Sequence, residues 1–183
     1  CDFQAFHVQL IYKSILNQQL MSDPYELLAE ELHTDRERSK VEVFRRLYSP
    51  IEYFSDYAST NFGKAVNNFK RQLVDTFIDT GKITTPVGRI MRPTKVGPDS
   101  SGRIFNHWMQ AVETEVHTRK LASLFYELPD AKISLYQYDS IVIDVHKDDC
   151  KHTLRALQDV YSREHSIKIG ISKSYENPEN TYK

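Results

Sequence analysis

Four residues at strict four-residue spacing, Arg36, Lys40, Phe44 and Tyr48, run through the stretch TDRERSKVEVFRRLYSP and do most to fix what this part of the chain can become. On a helix they share one slowly drifting face, with two cations along its N-terminal half and two aromatic rings along its C-terminal half. The ends are punctuated as well. Thr34 and Glu37 form a capping-box pattern predicted to start the helix, and Ser49-Pro50 is predicted to end it. The face would be about 18 Å long at the usual rise per residue. Its plainest reading is a solvated helix with two core aromatics. The length and charge order also suit a nucleoside triphosphate lying along it. Phosphates would meet Arg36 and Lys40, helped by the positive helix N-terminus, and the base or sugar would meet Phe44 and Tyr48.

Around this helix the periodicities alternate between helical and extended. Residues 7–20 read as a helix burying Phe6, Leu10, Ile11 and Ile15, and Asp23-Pro24 opens a short second helix with Asp23 as N-cap. Helical patterns follow at about 51–59 and 62–80, closed by Gly81. Residues 83–98 hold Pro86, Gly88, Pro93, Gly97 and Pro98 and read as hairpin or loop. A long helix over 101–126, a hairpin over 131–146, a helix over 147–163 and a strand over 166–173 complete an α+β chain, with helices around a small antiparallel sheet.

The hairpin segment KISLYQYDSIVIDVH carries Asp139 at its polar break, and the opening CDFQAFHVQLIY places Asp2 at the end of a short apolar run. An aspartate at such a turn can hold a divalent cation. Two aspartates and a cation-aromatic helix are the parts that metal-dependent phosphoryl transfer requires.

In this order the residues resemble motifs A, B and C of the family A (polymerase I-like) DNA polymerases: Asp2, then the striped helix, then Tyr138 and Asp139. TGKITTPVGRIMRP resembles the family's stretch ending in Thr-x-x-Gly-Arg, and NHWMQAVETE its Asn-x-x-x-Gln helix start, here Asn106 and Gln110. The resemblance runs from Asp2 to about residue 150. It implies a polymerase palm at 1–20 and 83–183, with the motif C hairpin at 131–146, and helical fingers at 21–82, with motif B at 35–48. Asp2 and Asp139 would hold two Mg²⁺ ions, and Lys40 would join them as a catalytic residue, protonating pyrophosphate. Arg36 and Lys40 would bind dNTP phosphates, while Phe44 and Tyr48 would close over the nascent base pair. Arg89, Asn106, Gln110 and Tyr138 would contact primer-template DNA. For Arg89 the plain alternative is a loop salt bridge, and for Asn106 and Gln110 a helix cap and a solvated side chain.

Departures from the family pattern are specific. His7 stands where bacterial members carry a Glu that helps exclude ribonucleotides; a neutral imidazole is expected to fill that space and donate to a tyrosine. Motif C reads Tyr138-Asp139-Ser140 rather than His-Asp-Glu, and Ser49 replaces a usual Gly. These features resemble the compact replicases of phages and mobile elements. Phe44 argues against single-subunit RNA polymerases, which tend to have Met there.

Composition bounds the rest. The 183 residues carry a net charge of −1, so any nucleic-acid grip must come from a local basic face. The chain opens at Cys1 almost on top of Asp2, so a thumb and any exonuclease domain are expected upstream in a longer protein. Two cysteines, Cys1 and Cys150, offer no disulfide framework and fit a reducing interior; the family resemblance implies the cytoplasm of a bacterial or phage-infected cell. No apolar run is long enough for a membrane span, so no membrane role is expected. The seven histidines are scattered, which argues against a zinc site. No Gly-rich phosphate loop occurs. Asp144, Asp148 and Asp149 could pass for a carboxylate cluster, but the last two are expected to cap the following helix and face water. Two function classes follow: a template-directed DNA polymerase core acting in DNA replication, or a catalytically inactive palm-fingers module that binds nucleic acid or a replication partner.

Overall fold

Alternation of helix-period and strand-period segments produces an α+β chain, mostly helical with small antiparallel sheets. The computed structural model describes residues 2–3, 5–18, 20, 22–51, 54–92, 100–137, 140–162 and 167–170. The chain divides into two compact units, one of His7–Glu115 and one of Cys1–Phe6 with Val116–Lys183. Among the described residues, no helix is long and apolar enough to cross a membrane.

The first unit is helical. It contains α1 (Phe6–Ser14) from its second residue, α2 (Pro24–Glu31), α3 (Arg36–Leu47), α4 (Asp56–Ser59), α5 (Asn61–Thr80), a hairpin of β2 (Ile83–Thr84) and β3 (Ile90–Met91), and the start of α6 (Ser101–Glu127). Aromatic side chains fill its core. Phe62 meets Tyr12 at 5.3 Å and Tyr57 at 6.1 Å, and Phe69 meets Trp108 edge-on at 4.7 Å.

Three details of this unit differ from the sequence expectations. α1 stops at Ser14 rather than running to residue 20, because Asn17 takes a left-handed φ of 52° and Gln18 N–H bonds back to the Tyr12 carbonyl. The N-cap of α3 is Asp35, accepting from Arg38 N–H at 2.9 Å, not Thr34. A capping box needs the Thr34 N–H for the glutamate, but that N–H already closes the end of α2 on the Ala29 carbonyl, and Glu37 turns to Arg36 instead. Residues 54–55 lie outside any helix, and α4 begins at Asp56, where Ser55 caps it by accepting from Ala58 N–H. Asp23 and Gly81 cap α2 and α5 as expected, Gly81 with φ 67°.

The C-terminal end of α3 is fixed from two sides. Lys70 of α5, fully buried, donates to the carbonyls of Arg46 at 3.2 Å and Ser49 at 2.8 Å and lies over the Phe105 ring. A cation there also complements the negative end of the helix dipole. From α6, Gly102 comes so near that a Cβ would sit 2.6 Å from the Ser49 carbonyl oxygen and closer still to that of Tyr48. Only glycine allows that approach. Lys70→Met keeps the apolar stem but strands the carbonyls, and should cost about 1–3 kcal/mol, read as a lower urea midpoint at unchanged slope.

The second unit is a four-stranded sheet in the order β4 (Lys132–Gln137), β5 (Ser140–Asp144), β1 (Asp2–Phe3), β6 (Ile167–Lys168), with the remainder of α6 and α7 (Cys150–Tyr161). All pairings are antiparallel. The buried His117 ring is packed by Phe6, Tyr136 and Tyr161, and Lys120 donates to the Val160 carbonyl at 2.8 Å. Asp148 and Asp149 face water as expected. Neither side chain caps α7; instead His146 accepts from Asp148 N–H and closes a short 3₁₀ turn over Lys147–Asp149.

Candidate active site

The striped face is present on α3. Ser39, Val43 and Leu47 form the buried side of the helix, whereas Arg36, Lys40, Phe44 and Tyr48 lie on the side left wholly or partly exposed. Phe44 is 47% exposed and so is not a core aromatic. Tyr48 is half-buried as the C-cap, one residue past the helix.

The two cations differ in commitment. Arg36 donates Nη2 and Nε to Asp23 Oδ2 at 2.7 and 3.0 Å and Nη1 to Glu37 Oε1 at 2.6 Å, with its guanidinium 5.7 Å from the Tyr25 ring centre. Lys40 is exposed and has no ion pair among the described residues. Burial pushes the Asp23 carboxyl up, but hydrogen bonds from Arg36 and from Tyr25 N–H, with the Arg36 charge, hold it below the usual carboxylate value overall. A carboxyl depressed on folding adds stability above its unfolded value, and that contribution is lost as pH falls through the folded one. Thermal unfolding should therefore show an acid-side loss as pH falls through and below the usual carboxylate range, and Asp23→Asn should flatten it.

At the aromatic end three elements meet. His7, in the first turn of α1, contacts the Tyr48 hydroxyl through Nδ1 and Glu113 Oε2 through Nε2 at 3.0 Å. A carboxylate only accepts, so Nε2 carries a proton, and in the neutral ring Nδ1 is the acceptor for Tyr48 O–H. With Nε2 given to Glu113, a neutral imidazole would accept from the tyrosine rather than donate to it. Glu113, on α6, was not foreseen from sequence. Its one signal is a carboxylate three residues after Gln110, and nothing local links it to His7.

A separate groove of about 470 Å³ lies between the hairpin and α6, lined by residues that include Arg89, Arg92, His107, Gln110 and Thr114. The hairpin is shaped by its Thr-x-x-Gly-Arg stretch. Thr85 N–H bonds to the Arg89 carbonyl at 3.0 Å, Gly88 takes φ 94°, and the Thr85 hydroxyl donates to Glu115 at 2.7 Å while accepting from Arg89 N–H. Arg89 and Gln110 thus share one cationic groove. Asn106 does not line it and is half-buried. Arg92 and His107 join the groove without having been singled out in the sequence.

Asp2 lies on β1, where its Cα partners are Ser140 on one side and Lys168 on the other. Tyr138 and Asp139 lie outside the described residues, and Ser140 is the next residue in the chain. Among the described residues, no group of three or more His, Cys, Asp or Glu could hold a metal. The donor chemistry of two aspartates, hard carboxylate oxygens, fits magnesium, which takes one or two protein carboxylates and completes its shell with water and phosphate.

No protein-family model matches the chain, and no curated protein matches it. Among solved structures it is similar to the polymerase domain of Pol1 from M. smegmatis, determined in complex with DNA primer-template and dNTP. The likeness has a TM-score of 0.69 at 12% identity and covers 91% of this chain. The chain spans 36% of that one. It has a polymerase-like fold.

Proposed function

We propose that the chain is the palm and fingers portion of a family A DNA polymerase, of the compact type resembling phage and mobile-element replicases. In this reading it transfers a nucleotidyl group from dNTP to a primer 3′-hydroxyl. The observation that carries the reading is the strand register: Asp2 stands opposite Ser140, the residue after Asp139, in a chain whose fold resembles a polymerase domain. Asp2, distant in sequence from the motif C segment, thereby pairs with the strand that begins one residue after Asp139.

Asp2 and Asp139 would hold two magnesium ions, which when bound lower the pKa of the attacking hydroxyl and neutralise triphosphate charge. Lys40 binds the phosphates and gives a proton to the departing pyrophosphate as the primer oxygen bonds to the α-phosphorus. Arg36 binds the same phosphates after exchanging Asp23 and Glu37 for them. Phe44 and Tyr48 pack on the nascent base pair. Arg89 and Gln110, with Arg92 and His107, offer donors to primer-template phosphates, a local basic face in a chain of net charge −1.

A second reading, a catalytically inactive palm-fingers module that binds nucleic acid, is favoured by the engagement of Arg36 with two carboxylates that a phosphate must displace. Primer extension separates the two. The intact protein should add template-directed nucleotides in Mg²⁺; binding of primer-template without any extension would establish the second reading.

A further inference from the structure

We infer that Glu113 is a positioning residue for the nucleoside end of the striped face, acting through His7 on Tyr48; this rests on the nucleotide-binding reading of that face. Glu113 is 6% exposed and the His7 side chain 21%, so water is a poor substitute for their bond. Because the carboxylate requires a donor, it keeps the ring proton on Nε2 and leaves Nδ1 of the neutral ring as an acceptor. The Tyr48 O–H is then drawn to His7, with the two rings edge-to-face at 5.9 Å.

The consequence is specific to the ligand. A hydroxyl committed to His7 does not donate to an incoming nucleoside, so Tyr48 meets it by packing, at an angle the relay fixes. Backbone restraint alone does not do this. Lys70 and Gly102 hold the α3 terminus, and His7 holds the Tyr48 hydroxyl.

The test is a double-mutant cycle on the dNTP KM of the intact protein. Glutamine at 113 is isosteric, yet can accept or donate, and no longer fixes the ring proton. Glu113→Gln should raise KM roughly three- to tenfold, the scale of one hydrogen bond, with kcat nearly unchanged. In a Tyr48→Phe background the same substitution should change KM by less than about twofold, since the group it acts through is gone. Equal increases in both backgrounds, or no increase in either, overturn the inference. The ¹⁵N shifts of the His7 ring provide a readout independent of turnover. They should show the Nε2–H form in the wild type and a mixture in Glu113→Gln; an Nδ1–H ring in the wild type overturns the inference even if extension is normal. Wild-type protein with the Nε2–H ring but no dNTP-dependent extension would instead strike down the polymerase reading.

Discussion

Replacing either Asp2 or Asp139 with asparagine should lower primer extension by at least roughly a hundred- to a thousandfold, the scale seen when one preorganised electrostatic group is removed from a reaction centre. Asparagine preserves size and the backbone pairing of Asp2 with Ser140 and Lys168, so the sheet should survive and the melting temperature should hardly move. What is lost is a hard anionic oxygen donor, and a neutral amide oxygen does not replace it for magnesium. Asp144→Asn is the matched control: it removes an exposed carboxylate from β5 of the same sheet. Loss of activity in that control equal to the loss in Asp2→Asn would mean that charge on the sheet, rather than a defined ligand pair, is at issue. Mg²⁺ titration of extension adds a second measurement. Whatever activity survives in the aspartate variants should require more metal, whereas the control should titrate like the wild type.

The next largest effect is expected on α3. Lys40→Ala should weaken dNTP use by about ten- to a hundredfold, as expected for a charge-assisted contact of roughly 1.5–3 kcal/mol. Lys64→Ala, which removes an exposed cation from α5, should do almost nothing. Commitment of charge orders the two cations of the stripe. Arg36 already serves Asp23 and Glu37, so phosphate binding there gives up existing ion pairs, while exposed Lys40 gives up only water. Arg36→Ala should therefore cost less in dNTP KM than Lys40→Ala. Equal effects of Lys40→Ala and Lys64→Ala would reduce the stripe to an ordinary solvated surface.

The local signals in the chain translated directly into local structure. Asp23-Pro24 opens α2, Gly81 closes α5 with a left-handed φ, and the four-residue spacing leaves one face of α3 to solvent. Such features depend on residues within a turn of each other, where propensity, capping and periodicity act. The same rules misplaced the α3 cap, because the donor a Thr34 capping box requires was already taken by the preceding helix. That is a competition between neighbouring elements, and a pattern of four residues does not contain it.

Side-chain partnership across long sequence separations was decided by tertiary structure alone. Lys70 sits at a core position in the Phe62, Val66, Lys70, Leu73 series of α5, where spacing announces burial but gives no reason for a cation. The reason is the carbonyl end of α3, which arrives there only in the folded chain. Likewise His7, Tyr48 and Glu113 are on three different helical segments, and each looks ordinary in its own surroundings. Sequence determined the elements and the face that α3 exposes, because those follow from short-range geometry. Tertiary structure decided which cation is committed, which side chains the His7 ring meets and which strand Asp2 joins, because a hydrogen bond depends on the few ångströms between its atoms and not on their distance along the chain.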